Sequence, residues 1–189
     1  MKRVLLSVIM ITMAVAVVGC KSTREWTDVE RRAIRDEVKS YRDMVYLENL
    51  ADAEFDTFSG DVVTAIEVDY PVYTTFVEMP GQGDTVEVYV VSTIVERLKA
   101  DAHNMRNIYP YPWLVAEGIL PDGLDRQAQR AFYECFARKV KSYYPSTQAF
   151  FDAVVNDDSS TSKLTQFQQQ CASDLFDWVI EVDETIVYD

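Results

Sequence analysis

The chain has 189 residues and a formal net charge of −13, with 31 acidic side chains against 18 basic ones. Hydrophobic residues make up 48% and aromatic residues 12%, enough to bury a core and too many for a disordered chain. So acidic a surface repels nucleic acid and anionic lipid as a whole, which disfavours a polyanion-binding role.

The chain opens on Lys2 and Arg3, continues through an apolar run from Val4 to Val18 softened only by Ser7 and Thr12, and reaches Gly19 and Cys20. A cationic start, an apolar stretch and a small residue before a cysteine meet the requirements of an export signal. At ~1.5 Å per helical residue the run spans roughly 22 Å, short of the ~30 Å hydrocarbon core, so it is not a permanent span. Val17, Val18, Gly19 and Cys20 together resemble the lipobox of bacterial lipoproteins. The resemblance implies that the Cys20 thiol receives a diacylglyceryl group, that the chain is cut between Gly19 and Cys20, and that the new amine is acylated. Two or three acyl chains hold a membrane far more firmly than the marginal binding of a single myristoyl group. Lys21 stands where many inner-membrane members of that family carry aspartate, which points to the outer membrane and its periplasmic face. Residues 1–19 are then a signal peptide, 20–26 a lipidated tether and 27–189 the globular domain. Without Lys2 and Arg3 the mature part has 16 basic against 31 acidic side chains, a charge of −15.

Thr27, Asp28, Val29 and Glu30 read as a capping box. Val29, Ala33, Ile34, Val38, Tyr41, Val45 and Leu50 then recur at helical spacing, predicting one helix from about 28 to 57 that ends near Ser59–Gly60. On it Arg31, Arg35, Lys39 and Arg42 share a narrow sector. Such a stripe can rest on anionic headgroups, but a solvated face laced by pairs such as Asp28–Arg32 and Lys39–Asp43 is the commoner arrangement. Asp61 to Val68 predicts helix, and Asp69, Tyr70 and Pro71 resemble a fresh start, since proline is tolerated in a first turn. Gly81-Gln82-Gly83 is a break. After it Asp84 and Glu87 repeat the cap spacing, and Val91, Ile94, Val95, Leu98, Ala102 and Met105 make a helical stripe. Thr85 to Val91 is rich in β-branched residues and has a strand as its alternative, but the stripe runs on without a turn signal.

Pro110, Pro112, Pro121 and Gly123 mark an irregular connector around a short helix near 113–118. Ala128, Ala131, Phe132, Cys135, Phe136 and Val140 predict a helix that ends before Tyr144–Pro145. A shorter one reaches Val155, with Phe150, Phe151 and Val154 as its apolar side. Asn156 to Ser162 reads as a polar loop, and Leu164, Phe167, Cys171, Leu175, Trp178, Val179 and Val182 predict the last long helix. The domain is therefore expected to be all-α, a bundle of five to seven helices with short connections. Trp178, Leu175, Phe167, Phe132 and Ile94 sit on apolar stripes and are expected inside.

Once Cys20 is lipidated, Cys135 and Cys171 are the remaining cysteines. They form either a disulfide, which an oxidising envelope sustains, or two ordinary buried thiols. No Cys-x-x-Cys or close histidine pair accompanies them, so no metal or other cofactor is predicted. His103 is the sole histidine, with Asp101 beside it and Glu96 seven residues earlier, without a Gly-x-Ser-x-Gly elbow or a His-Glu-x-x-His pair. The acidic groups Glu181, Asp183 and Glu184, or Asp157 and Asp158, are of the kind any acidic chain produces. Tyr109, Tyr111 and Trp113 alternate with Pro110 and Pro112; they form either a platform for a sugar or peptide or a plug closing one end of the core. The leading reading is a non-enzymatic envelope lipoprotein, anchored through Cys20, that binds another envelope protein or a small ligand and no nucleic acid. Its rivals are a hydrolase with an acidic or His103-centred site, and a glycan- or peptide-binding lipoprotein using Tyr109, Tyr111 and Trp113.

Overall fold

A computed structural model describes residues 24–156 and 161–178. Among them eight α-helices and two 3-10 segments follow one another with no strand, so the fold is all-α. The helix count passes the predicted seven because two helices, of five and six residues, are little more than single turns.

Helix α1 (Asp28–Val38) starts on the Thr27–Glu30 capping box that the sequence predicts. It does not continue to residue 57. A 3-10 turn at Lys39–Tyr41 ends it, and α2 (Asp52–Asp69) begins only after a further fold of the chain. Tertiary contacts hold that fold. The Arg42 guanidinium donates to the carbonyls of Leu47 and Leu50, and lies 4.6 Å from the centre of the Phe55 ring. Tyr46 is fully buried at a φ of 83°, a left-handed backbone that costs a non-glycine residue roughly 1–3 kcal/mol. Leu47 and Leu50, just beyond it, are buried in the core.

Helix α2 runs straight through the predicted stop at Ser59–Gly60. The Ser59 hydroxyl donates back to the Phe55 carbonyl at 2.9 Å, so it leaves no unpaired group inside the helix. Gly60 lies within the helix instead of ending it, and a Cβ there would meet the Arg35 guanidinium of α1 at 3.5 Å, an ordinary contact distance.

A short α3 (Tyr73–Val77) leads to α4 (Gln82–Ala100), which starts ahead of the predicted cap at Asp84 because Gly81, at a φ of 78°, turns the chain into it. Thr85 to Val91 lies inside α4 as helix. Its β-branched residues are accommodated because Val86, Val90, Ile94, Val95 and Leu98 form one buried face. The 3-10 segment Ala102–Asn107 and α5 (Tyr111–Ala116) follow. Helix α6 (Arg126–Tyr143) is capped by Asp125, which accepts the Ala128 amide at 2.8 Å, and α7 (Thr147–Val155) and α8 (Thr161–Phe176) complete the described chain. Helix α6 packs on α8 and on the 3-10 segment, while α4 packs on α1, α2 and α7.

The core is aromatic, with Phe58, Phe76, Phe132, Phe136, Phe150 and Phe151 fully buried. Ile94, Phe132 and Phe167 are inside as their stripes require. Leu175 and Trp178 are not: they are 41% and 39% exposed. Phe176, rather than Leu175, turns toward the core at the end of α8. Asp177 then takes a φ of 51°, and this ends the helical stripe before Trp178. The indole lies along the loop after α5 instead, donating to the Gly118 carbonyl at 2.9 Å. Val179 and Val182, assigned to the same helix, lie outside the described residues.

Arg24 to Trp26, assigned to the tether by sequence, belong to the folded body. The Arg24 amide donates to the Thr74 hydroxyl at 2.7 Å, and the Thr74 amide donates back to the Arg24 carbonyl at 3.2 Å. The Trp26 indole donates to the Tyr70 carbonyl at 2.7 Å and meets the Tyr73 ring edge-on at 4.9 Å. No helix of the described residues is long and apolar enough to cross a membrane.

Candidate functional site

The 3-10 segment Ala102–Asn107 sorts its side chains by threes, because residues i and i+3 eclipse one another in that helix. His103 and Arg106 face one hollow, and Ala102 and Met105 face another. Helix α6 walls both.

The first hollow is a recess of about 1020 Å³ between the start of α2, the 3-10 segment, the α5 entry and the start of α6. Asp101 orients its floor by accepting the His103 amide at 2.9 Å. The imidazole meets the Tyr133 ring edge-on at 5.6 Å, and its Nε2 lies 3.4 Å from a nitrogen of Arg106. Its Nδ1 is buried without a hydrogen-bond partner. Burial first, and then the Arg106 guanidinium, hold His103 below the ordinary histidine range, partly opposed by Asp101. Glu54 bridges two elements: one carboxylate oxygen accepts the Ala51 amide at 3.0 Å to start α2, and the other accepts from Arg106. Arg126 and Arg130 enter from the first turns of α6, four residues apart and so on one face. Arg130 pairs with Glu134 at 3.2 Å and more distantly with Asp101 at 3.8 Å. Arg126 is exposed and has no partner among the described residues.

The tyrosines of the connector brace this recess. The Tyr111 hydroxyl donates to the Pro121 carbonyl at 2.8 Å and accepts the Leu124 amide at 2.9 Å, lacing the 121–124 loop to the recess wall. The Tyr133 hydroxyl donates to the Tyr109 carbonyl at 2.8 Å, and burial pushes the Tyr133 phenol far above its ordinary range. Tyr109 packs edge-on against Phe136 at 5.6 Å and lies 5.7 Å from Trp113. Of the three rings singled out by sequence, Trp113 alone is exposed, Tyr109 and Tyr111 being half-buried.

The second hollow, about 790 Å³, has an apolar floor of Leu98, Met105 and Val140 and a cationic rim of Lys99, Arg138 and Lys141. Beneath α6, Cys135 and Cys171 are joined in a disulfide with α-carbons 5.9 Å apart, binding α6 to α8. Of the predicted stripe, Arg31 of α1 pairs with Glu67 at 2.5 Å and Asp28 at 3.2 Å, and Lys39 of the 3-10 turn with Asp36 at 2.7 Å, while Arg35 is exposed. The helix-face pairing is thus one of three-residue spacing, Asp28–Arg31 and Asp36–Lys39, rather than the Asp28–Arg32 and Lys39–Asp43 pairs predicted.

Glu96, set against His103 by sequence spacing, instead pairs with Lys99 at 2.6 Å. The carboxylate that reaches the recess is Glu54, and the basic residues there are Arg106, Arg126 and Arg130; sequence reading named none of the four. Only the four-residue spacing of Arg126 and Arg130 in an acidic chain was a local signal. Asp157 and Asp158, and Glu181, Asp183 and Glu184, lie outside the described residues, as does Cys20. Among the described residues no group of three or more His, Cys, Asp or Glu side chains is arranged to hold a metal ion. In comparison with known proteins, the chain matches no family model, no curated protein and no solved structure.

Proposed function

We propose that the chain is a bacterial envelope lipoprotein, anchored through a lipidated Cys20, whose helical body is a binding module with the His103 recess as its ligand site. The recess itself carries this reading. Its lining combines guanidiniums, an imidazole and side-chain amides with two phenols whose hydroxyls already have partners, and holds no serine, threonine or cysteine. Polar groups that converge in a concavity are the ones that fix a ligand's orientation and specificity, and a lining as polar as this one suits a polar ligand. Glu54, the one carboxylate in the lining, is already committed to Arg106 and to the Ala51 amide, so the groups left to meet a ligand are ones that bind and orient.

Two measurements test the two parts. For the anchor, wild-type protein should begin at Cys20 with acyl mass on it, and Cys20→Ser should abolish labelling by a fatty-acid analogue; a wild-type chain beginning elsewhere, or bare at Cys20, overturns the anchor. For the site, small molecules released on denaturing the natively isolated protein are compared with those from Gln127→Trp, which fills the recess from an exposed position. Retention by wild type and loss in the variant supports the site, and identical profiles overturn it.

A further inference from the structure

We infer that the His103 recess takes a small anionic ligand, a carboxylate or phosphate, gripped by Arg126 and Arg130 with Arg106 behind them. This rests on the binding reading above and names the class of ligand for the same site. The chain as a whole carries −13, yet this lining sets three guanidiniums against the single carboxylate of Glu54. Arg32, Arg35 and Arg138 are exposed without an ion pair among the described residues but lie outside the recess, whereas Arg31 and Arg97 are absorbed into ion pairs. Arg126 is not, among the described residues, although Asp125 is its chain neighbour; that carboxylate is turned to the Ala128 amide instead.

Arg130 meets its two carboxylates through Nε and Nη2, and Arg106 meets Glu54 and His103 through its two terminal nitrogens; with five N–H donors in the fork of a guanidinium, each keeps donors for a ligand. Glu134 and Asp101 hold Arg130 from outside the recess lining, and Glu54 holds Arg106 from within it. The position adds to this. Arg126 opens an 18-residue helix, whose amino end carries a partial positive charge toward an anion seated between the two α6 arginines. Planar carboxylate and phosphate oxygens match that fork pairwise, a geometry that a neutral sugar hydroxyl does not offer.

Because His103 is the sole histidine in the chain, its ring signals in a magnetic resonance spectrum belong to this recess without further assignment. The groups facing the imidazole are Asp101 and Arg106 on its own segment and Arg130 and Tyr133 on α6. Inorganic phosphate and citrate, titrated into the full-length protein, should move these signals saturably. A bound anion should also raise the pH at which His103 protonates, since it offsets the cations that now lower it. Arg126→Ala should weaken both ligands roughly tenfold, the loss of a charge-assisted contact at a residue that holds nothing else in place. Glu54→Gln, which keeps the Ala51 contact but frees Arg106, should tighten them by a few-fold, an effect that mere loosening of the fold does not produce. The inference is overturned if phosphate and citrate do no more than chloride at equal ionic strength, or if Arg126→Ala leaves the titrations unchanged. If that happens while Gln127→Trp still empties a retained molecule from the protein, only the anionic class falls. If Gln127→Trp also changes nothing, the binding reading falls with it.

Discussion

The two ends of the described chain are docked by different physics. At the entry, Arg24 to Glu30 is fixed by polar and aromatic contacts: the two-way backbone exchange with Thr74, the Trp26 indole on Tyr70, and the Glu30 carboxylate between Thr27 and Arg24. At the exit, α8 is fixed to α6 by a covalent bond between Cys135 and Cys171, with Tyr143 against Phe167 and Lys139 reaching Asp174. The entry can be undone by protons and by single side-chain losses. The exit answers chiefly to reductant.

Breaking the covalent end should have the largest effect. Replacing Cys135 and Cys171 together by serine opens a loop with a sequence separation of 36 and is expected to lower stability by roughly 4 kcal/mol. Denaturant unfolding of oxidised wild type against the double variant measures this. A difference under about 1 kcal/mol would assign the docking of α8 to packing alone. Two reactive thiols in the unfolded, unreduced protein would remove the crosslink altogether.

At the entry, Trp26→Ala deletes a partly buried indole and its hydrogen bond, with an expected loss of about 3 kcal/mol in the same assay. A near-neutral result would show that Arg24 to Trp26 rests on the body without holding it. The acid response should come next. The hydrogen bond from Thr27, reinforced by Arg24, holds the Glu30 carboxyl below the ordinary glutamate value of 4.5. A depressed folded value means that its stabilisation is complete above the unfolded value and is lost as pH falls through the folded one. Stability should therefore decline below about pH 4.5, and Glu30→Gln should be less stable at pH 7 and flatter below it. An unchanged acid slope in that variant would remove Glu30 from the account. The smallest effect belongs to Trp178→Ala, which removes one exposed hydrogen bond at the exit and should cost about 1 kcal/mol or less. Several kcal/mol would show Trp178 to be part of the core after all.

Where a local rule decided the outcome, the sequence was readable. Thr27 and Glu30 start a helix because the box is complete within four residues, and Phe132, Phe136 and Val140 are buried because α6 is regular from end to end. Reading failed where distant groups decided. The stripe through Tyr41 and Val45 continues at helical spacing, yet the helix stops there, with Arg42 holding the Leu47 and Leu50 carbonyls and lying over the Phe55 ring of the next helix. Gly60 looks like a stop, yet α2 continues through it because Phe58, Val62, Val63 and Ile66 on either side keep one buried face. The recess was hidden for the same reason. Glu54 and Arg106 are 52 residues apart, and nothing in either neighbourhood announces the other. His103 was visible as a lone histidine, but its surroundings come from α2 and α6.

Under the proposed anchor, the docking of Arg24 would also set how far the protein can act. With Arg24 held against Thr74, three residues separate the folded body from Cys20, a stretch that reaches at most roughly 14 Å when fully extended. Were Cys20 lipidated as proposed, the body would ride on a leash of that length and stay beside the bilayer that holds the lipid. A partner of a protein anchored in that way would have to lie in, or come to, the same bilayer surface. For molecules already there the meeting is nearly two-dimensional, and weak contacts suffice because short tethers raise effective concentration to about the millimolar range.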